Sequence, residues 1–346
     1  MIGIHGLSIY GKDENKQTAM ASTTKIMTAI VVLENCKDLS EIVTIDSKAA
    51  GTGGSRLGLK KDNKITVEGL LYGLLMRSGN DAAVALAEYI AGSKEEFAKL
   101  MNNKAHELGL KNTNFVTPHG LDDPKHYTTA YELAQITDYA LKNDKFAQIV
   151  KTQYATISIN GYSKELKNTN ELLLGNIEGV YGVKTGFTNN AGRCLVTAVK
   201  RKNMDLIIVV LGADTRKDRA KDSLKLIDYI YQNYRVENIE EQIQKQFDLW
   251  NEINKNRIYI YKGTKSIELE LGKIKYEKII TNKEITIEIN SLNYLEAPVE
   301  KGTVIGNLIV KKGGEIVETI EIKTAHEIRR KGIFDYLEMF AKIITQ

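Results

Sequence analysis

Three short motifs in this sequence supply the residue types that serine acyl transfer needs: STTK at 22–25, SGN at 78–80 and KTG at 184–186. Nucleophilic hydrolysis requires a hydroxyl, a base for its proton, and donors for the oxyanion. Ser22 and Lys25 lie three residues apart at a predicted helix start, so both side chains leave the same face. A lysine in a desolvated or cation-rich pocket has a lowered pKa and can act as that base.

No single motif of the three is specific. The S-x-x-K pattern occurs once, but S-x-N also matches 158–160 and 291–293, where strand-like surroundings favour a structural role. K-T-G occurs once, within a strand, where Gly186 would let a substrate backbone approach closely. Their order, with S-x-x-K opening a helix, S-x-N between helices and K-T-G on a strand, is typical of serine β-lactamases and penicillin-binding proteins.

The elements around the motifs predict an α/β (α+β) sandwich. A short strand is expected at 5–11, and a helix apolar on nearly all sides begins near Ser22, so it should be buried. Helical periodicity runs from 66 to about 111, a loop follows to 129, and another helix begins at 130. Three strands within 179–212 precede a helix at 216–234. An antiparallel sheet flanked by helices, with a mostly helical subdomain, is therefore expected.

Composition changes after Val236. Alternating Ile, Glu, Lys and Tyr predict a small all-β domain, and the chain ends in an amphipathic helix that becomes firm after Gly332. The predicted domains are 1–235, 236–324 and 325–346. One face of the terminal helix collects Ile333, Tyr336, Leu337, Phe340 and Ile344. Its position and the basic trio 329–331 favour a membrane-surface anchor over packing on the protein.

Bulk properties exclude several function classes. A net charge of +4 from 48 basic and 44 acidic residues is balanced, and no basic block with interleaved aromatics occurs, so nucleic acid is not an expected partner. The five histidines form no metal-binding pattern, and no metal or other cofactor is predicted. Cys36 and Cys194 form no C-x-x-C pair. Each is expected to be a small buried hydrophobe, and a disulfide between them is the alternative. No apolar run is long enough for an ordinary membrane-spanning helix.

Longer segments resemble the low-molecular-mass D-Ala-D-Ala carboxypeptidases of the penicillin-binding class. They are ASTTKIMTA, LLYGLLMRSGNDAA, NFVTPHGLDDPKHYTTAYELA and GVKTGFTNNAGRCLV. YLEAPVEKGTVIGNLIV resembles their C-terminal β-rich domain, and the final helix resembles their membrane-surface anchor. The resemblance covers nearly the whole chain. It implies removal of the terminal D-Ala from peptidoglycan stem pentapeptides and inhibition by β-lactam antibiotics.

The resemblance also implies a role for each motif residue. Ser22 would be acylated and Lys25 would be its base, while Ser78 and Lys184 would pass a proton to the leaving amine. Asn80 would hold the substrate amide and orient Lys25. The oxyanion hole would be the backbone N–H groups of Ser22 and Phe187. Thr185 and Arg219 would bind the terminal carboxylate of the substrate, and Arg216 is a neighbouring candidate for the same role. Gly186 would lie beside the substrate on the strand. His119 would be either a catalytic accessory near the cleft or a turn-stabilising residue.

Two alternative functions follow from the same motifs. A class A β-lactamase usually carries SDN and a glutamate before K-T-G that activates the deacylating water. Here Gly79 takes the middle position and no convincing glutamate motif precedes Lys184. A non-catalytic β-lactam sensor is the other alternative, and the intact motif set argues against it.

The family is exported, yet this chain begins 21 residues before Ser22 without a basic-then-apolar leader. The sequence pattern also predicts that the family's first strand is missing, which would leave an unpaired sheet edge. By resemblance, the expected location is the outer face of the cytoplasmic membrane, in the cell envelope.

Overall fold

The computed structural model describes residues 2–3 and 8–344. The chain divides into two compact units, Met1–Asn233 and Tyr234–Gln346.

Helices make up much of the first unit. A 3-10 turn at Ala21–Thr24 leads into the first of them, and their bounds are α1 Lys25–Asn35, α2 Ser47–Gly51, α3 Val67–Met76, α4 Asn80–Ala91, α5 Lys94–Glu107, α6 Ala130–Leu141, α7 Asp144–Lys151, α8 Glu171–Leu174 and α9 Arg216–Asn233. Side-chain caps fix several starts: Thr66, Ser93 and Thr129 each accept a hydrogen bond from the backbone N–H three residues later. Helix α1 is buried over its first two turns, as its apolar sequence predicts.

The strands of the first unit are β1 Ile2–Gly3, β2 Ile42–Thr44, β3 Lys64–Thr66, β4 Tyr154–Ile159, β5 Tyr162–Lys167, β6 Val180–Thr188, β7 Gly192–Arg201 and β8 Met204–Ala213. Strands β1, β8, β7 and β6 form an antiparallel sheet in that order. Helices α6 and α9 pack against β8, and α7 packs against β6. The predicted sandwich of an antiparallel sheet and helices is confirmed.

Two details of the first unit differ from the sequence prediction. Of the strand expected at 5–11, residues 5–7 lie outside the described residues, residues 8–11 belong to no strand, and β1 precedes them in the chain. Because Ile2 and Gly3 pair with β8, the sheet edge expected to be unpaired has a partner there. The β4–β5 hairpin was not predicted, although Asn160 and Gly161 at its turn both take the positive φ that such tight turns need.

The second unit consists mainly of short strands. Their bounds are β9 Arg235–Asn238, β10 Tyr259–Tyr261, β11 Leu269–Leu271, β12 Lys278–Thr281, β13 Ile285–Ser291, β14 Tyr294–Glu296, β15 Val304–Lys312 and β16 Glu315–Thr324. Strands β11, β16, β15 and β13 form the largest sheet of this unit, with antiparallel pairing. The β-rich character is confirmed, but helix α10 at Ile239–Asn254 was not predicted.

The chain ends in helix α11 at Ile333–Ile344, which begins directly after Gly332 as predicted. Its apolar side chains are exposed: Ile333, Phe334, Leu337, Phe340 and Ile344 each keep at least 60% of their surface accessible. Among the described residues, no helix has both the length and the apolarity to cross a bilayer.

Candidate active site

Lys25 is fully buried beside the half-buried Ser22. Its Nζ lies 2.9 Å from Ser22 Oγ, 2.7 Å from Asn80 Oδ1 and 2.7 Å from the His119 carbonyl oxygen. The 3-10 turn and the first turn of α1 together set the Ser22–Lys25 spacing. The first two motifs therefore meet at one nitrogen.

Burial and the nearby positive charge of Lys184 hold the pKa of Lys25 well below its ordinary value, with Asp81 opposing the shift. A neutral amine has two N–H donors and one lone pair. The Asn80 and His119 oxygens can only accept, so they take both donors. The lone pair is then left for the Ser22 hydroxyl proton, which is the arrangement a general base needs.

Asn80 is held in place from both ends of its amide. Its Oδ1 accepts from Lys25, and its Nδ2 donates to the Gly53 carbonyl oxygen at 2.7 Å. Gly54 has φ +82, and a β carbon there would lie 2.6 Å from Asn80 Nδ2. A glycine is therefore required where the 53–59 loop passes this side chain.

Asp81 anchors the same loop and was missed at the sequence level. Its buried carboxylate accepts backbone hydrogen bonds from Leu57, Gly58 and Leu59 at 2.7–3.0 Å. A carboxylate that accepts several backbone N–H donors fixes the backbone around it. The sequence feature that could have identified Asp81 is its position directly after SGN at the start of α4, where a carboxylate also interacts favourably with the helix dipole.

Ser78 lies between α3 and α4, 6% exposed, with φ +58. A left-handed backbone is uncommon for a residue with a side chain and is often found at functional sites. The Lys184 Nζ donates to the Thr185 carbonyl oxygen at 2.8 Å. Within residues 8–344, no hydrogen bond joins Ser78 Oγ to Lys184 Nζ, although both predicted members of the proton relay are buried in the same unit.

The third motif packs against the first. A β carbon on Gly186 would lie 3.2 Å from the Ser22 nitrogen and 3.2 Å from the Met20 carbonyl oxygen. Gly186 was predicted to allow close approach of a substrate; the group that approaches it in the structure is the backbone at Ser22. Lys184, on the same strand, is buried, and desolvation with the Arg219 charge lowers its pKa to about 7.

Arg219 forms a two-pronged ion pair with Glu171: Nε and Nη2 each lie 2.8 Å from a carboxylate oxygen. Its Nη1 donates to the Gly186 and Cys194 carbonyl oxygens at 3.2 Å. These contacts use four of the five guanidinium N–H donors. Arg219 therefore retains one donor for a ligand, whereas a free guanidinium would offer two parallel ones.

Thr185 and Arg216 are the other candidates for carboxylate binding. Thr185 is 7% exposed, and its hydroxyl lies 2.9 Å from that of Thr169. The Arg216 side chain is 62% exposed and its Nε is 3.7 Å from Glu171. Both residues line the same cleft as Ser22, with a volume of about 450 Å³.

His119 contributes its backbone to the Lys25 contact, and its ring contributes to a turn. Its Nδ1 accepts from the Leu121 N–H at 3.2 Å, and burial lowers its pKa to about 3. A neutral imidazole that accepts a backbone hydrogen bond within its own turn fits the turn-stabilising role of His119, which was one of the two expected roles. Gly120, with φ +82, leaves no room for a β carbon, which would overlap the Ala21 carbonyl oxygen. Through this contact the 119–120 segment packs directly on the turn that carries Ser22.

Phe187 follows Gly186 on β6 and is 46% exposed in the cleft wall. The guanidinium of Arg193 stacks over its ring, 3.5 Å from the centroid, and the two residues are paired across β6 and β7. Both cysteines are free; Cys194 is fully buried as predicted, whereas Cys36 is only partly buried, contrary to the prediction.

A buried lysine with a lowered pKa, 2.9 Å from a serine hydroxyl and carried on a sandwich of sheet and helices, is typical of serine acyl-transfer enzymes of the penicillin-binding class. The family model for D-alanyl-D-alanine carboxypeptidases matches residues 5–215, and the model for the C-terminal domain of penicillin-binding protein 5 matches residues 276–330. The chain belongs to the D-alanyl-D-alanine carboxypeptidase family. It is a serine-type D-Ala-D-Ala carboxypeptidase, which confirms the enzyme class predicted from the motifs.

Similar proteins are found across bacteria. D-alanyl-D-alanine carboxypeptidase DacF of Bacillus subtilis is 34% identical over 343 residues, covering 96% of this chain and 85% of the relative. The crystal structure of penicillin-binding protein 5 from Haemophilus influenzae has a TM-score of 0.74 and 30% identity, covering 93% of this chain and 94% of that one. For the carboxypeptidase DacD from Francisella tularensis the TM-score is 0.75 at 25% identity, with coverages of 95% and 92%.

Proposed function

We propose that this enzyme removes the terminal D-Ala from peptidoglycan stem pentapeptides through an ester on Ser22. The observation that carries the assignment is the 2.9 Å approach of Lys25 Nζ to Ser22 Oγ, with both other partners of that nitrogen being acceptors. A buried lysine placed in this way is neutral and accepts the hydroxyl proton.

In the first half-reaction, Ser22 Oγ attacks the carbonyl carbon of the penultimate D-Ala, and its proton passes to Lys25. The carbonyl oxygen becomes an oxyanion that the backbone N–H groups of Ser22 and Phe187 bind. That proton then passes from Lys25 through Ser78 and Lys184 to the amide nitrogen of the last D-Ala, so that the C–N bond breaks, D-Ala leaves as a free amine and Lys25 is neutral again. In the second half-reaction, water gives a proton to Lys25 and adds to the ester carbonyl carbon. Lys25 then returns this proton to Ser22 Oγ as the ester C–O bond breaks, which restores the hydroxyl and releases the shortened peptide as a carboxylic acid.

The free carboxylate at the substrate's C-terminus binds to Thr185, to the one remaining donor of Arg219 and to Arg216. Arg219 contributes only one hydrogen bond to the carboxylate because Glu171 and two backbone carbonyls occupy its other four N–H groups. Thr185 and Arg216 therefore supply the remaining contacts. Asn80 holds the substrate amide with the second hydrogen of Nδ2, since the first is used by Gly53.

β-Lactam antibiotics acylate the same serine. Since deacylation lacks the glutamate-activated water of class A β-lactamases, the penicilloyl ester is expected to be long-lived, and the drug is an inhibitor.

Residues 1–235 form the carboxypeptidase domain, 236–324 the β-rich domain and 325–346 the terminal amphipathic segment. The enzyme acts at the outer face of the cytoplasmic membrane, in the cell envelope, with α11 lying on the membrane surface. The exposed apolar face of that helix and the basic residues before it support surface binding.

Incubation with a synthetic pentapeptide ending in D-Ala-D-Ala tests the function. The wild-type protein should release one D-Ala per peptide, Ser22→Ala should release none, and a peptide ending in L-Ala should not be cleaved. Fast, repeated turnover of penicillin with no release of D-Ala would contradict the proposal in favour of a β-lactamase. Stoichiometric penicillin binding with no release would favour a sensor.

A further inference from the structure

The cleft at Ser22 carries more positive charge than one terminal carboxylate requires. Its lining includes five cationic side chains and no acidic one: Arg77, Lys167, Arg193, Arg216 and Arg219. Glu171 lies behind this lining and pairs with Arg219 and, more loosely, with Arg216. Among the residues that the structure describes, no ion pair is formed by Arg77, Lys167 or Arg193.

Arg77 and Arg193 reach the cleft from separate elements next to the proposed machinery. Arg77 is the C-cap residue of α3 and directly precedes Ser78. Arg193 is paired with Phe187 across the sheet, with its guanidinium stacked on the phenylalanine ring. A guanidinium stacked on a ring by its face keeps its N–H edge available for a planar anion such as a carboxylate.

Unpaired cations around one cleft repel each other, and an anion bound between them removes that repulsion. The proposed function assigns the terminal carboxylate to Thr185, Arg216 and Arg219. We propose that Arg77 and Arg193 bind a second carboxylate of the substrate, on the N-terminal side of the D-Ala-D-Ala. The enzyme thereby selects acidic stem peptides over those in which that carboxylate is an amide. This inference rests on the proposed carboxypeptidase function.

Two synthetic pentapeptides test it. Both end in D-Ala-D-Ala with a free C-terminus, and they differ only in whether a residue before the D-Ala-D-Ala bears a carboxylate or a carboxamide. At low salt, wild-type kcat/KM should be about tenfold higher for the carboxylate peptide, which corresponds to about 1.4 kcal/mol. The preference should shrink as salt rises.

The double variant Arg77→Ala/Arg193→Ala should lose that preference, with kcat/KM for the carboxamide peptide staying within about twofold of wild type. Lys99→Ala/Lys142→Ala is the matched control: it removes two positive charges from helices outside the cleft lining and should keep the preference. The two single variants are measured as well, and thermal unfolding establishes that each protein is folded.

Equal kcat/KM of wild type for both peptides would overturn the inference. So would a double variant that loses activity equally on both, because this would indicate a general role in the cleft. If wild type released D-Ala from neither peptide, the proposed function itself would fail.

Discussion

Gly186 on β6 packs against the backbone nitrogen of Ser22, so closely that a β carbon on the glycine would lie 3.2 Å from it. This contact joins the K-T-G strand to the turn that carries the nucleophile. A second backbone contact, between Gly120 and Ala21, joins the 119–120 segment to the other side of the same turn. The site is therefore held by backbone packing as well as by its side-chain hydrogen bonds.

Gly120→Ala should slow acylation of Ser22 by penicillin at least about tenfold. The new β carbon overlaps the Ala21 carbonyl oxygen, so the segment must shift and withdraw the His119 carbonyl from Lys25. Gly109→Ala is the control, since Gly109 also has a positive φ but has open space around it. It carries the conformational cost of about 1 kcal/mol without the overlap. Equal acylation rates in the two variants would contradict this account of the turn.

Glu171→Gln should lower the free energy of unfolding by about 3 kcal/mol, because Arg219 then keeps a buried charge without its counterion. Glu96→Gln breaks an exposed pair with Lys99 and should cost less than about 1 kcal/mol. Urea denaturation measures both. A loss at Glu171 no larger than at Glu96 would show that the buried pair contributes little.

Lys184→Met should change how stability depends on pH. The pKa of Lys184 is about 7 in the folded protein and about 10.4 in an unfolded chain. Between these values the unfolded state binds more protons, so wild-type stability gains up to about 1.4 kcal/mol per pH unit from this residue as pH rises. The variant lacks this gain. It should therefore be more stable than wild type at pH 7, and this difference in the free energy of unfolding should become smaller towards pH 9. Parallel stability curves from pH 7 to 9 would contradict the lowered pKa.

Replacing Phe334, Leu337 and Phe340 of α11 by Ser should weaken cosedimentation with anionic lipid vesicles by at least about tenfold, since the exposed apolar face is lost. Leu292, Val304 and Ile316 are exposed apolar residues elsewhere in the second unit, and their replacement by Ser is the control. Unchanged binding of the α11 variant, or of a protein ending before residue 326, would refute anchoring by this helix.

The sequence predicted the fold class and which motif residues lie near Ser22, but it missed individual elements. The motifs predicted that Ser22, Lys25 and Asn80 share one site, because S-x-x-K, S-x-N and K-T-G occur in the order typical of penicillin-binding proteins. Helix α10 was missed although Ile239, Ile243 and Phe247 repeat at helical spacing and are buried. Strand-like composition on its C-terminal side outweighed that pattern.

Contacts between distant residues could not be predicted from local patterns. Glu171 follows a loop that contains no recognisable motif. Only the structure shows that its carboxylate pairs with Nε and Nη2 of Arg219. From the sequence, Asp81 is likewise an ordinary carboxylate at a helix start. Only the structure shows that it accepts hydrogen bonds from the backbone of residues 57–59. Such partners are set by tertiary packing, which pairwise spacing in the sequence does not encode.

Mass spectrometry of the penicillin-treated protein tests the central claim most directly. The wild-type chain should gain the mass of one penicilloyl group, and proteolytic mapping should locate it on the peptide that contains Ser22. Ser22→Ala should gain none, while Ser78→Ala should still be acylated, more slowly. An adduct that persists in Ser22→Ala, or that maps to Ser78 in the wild type, would contradict the assignment of Ser22 as the nucleophile.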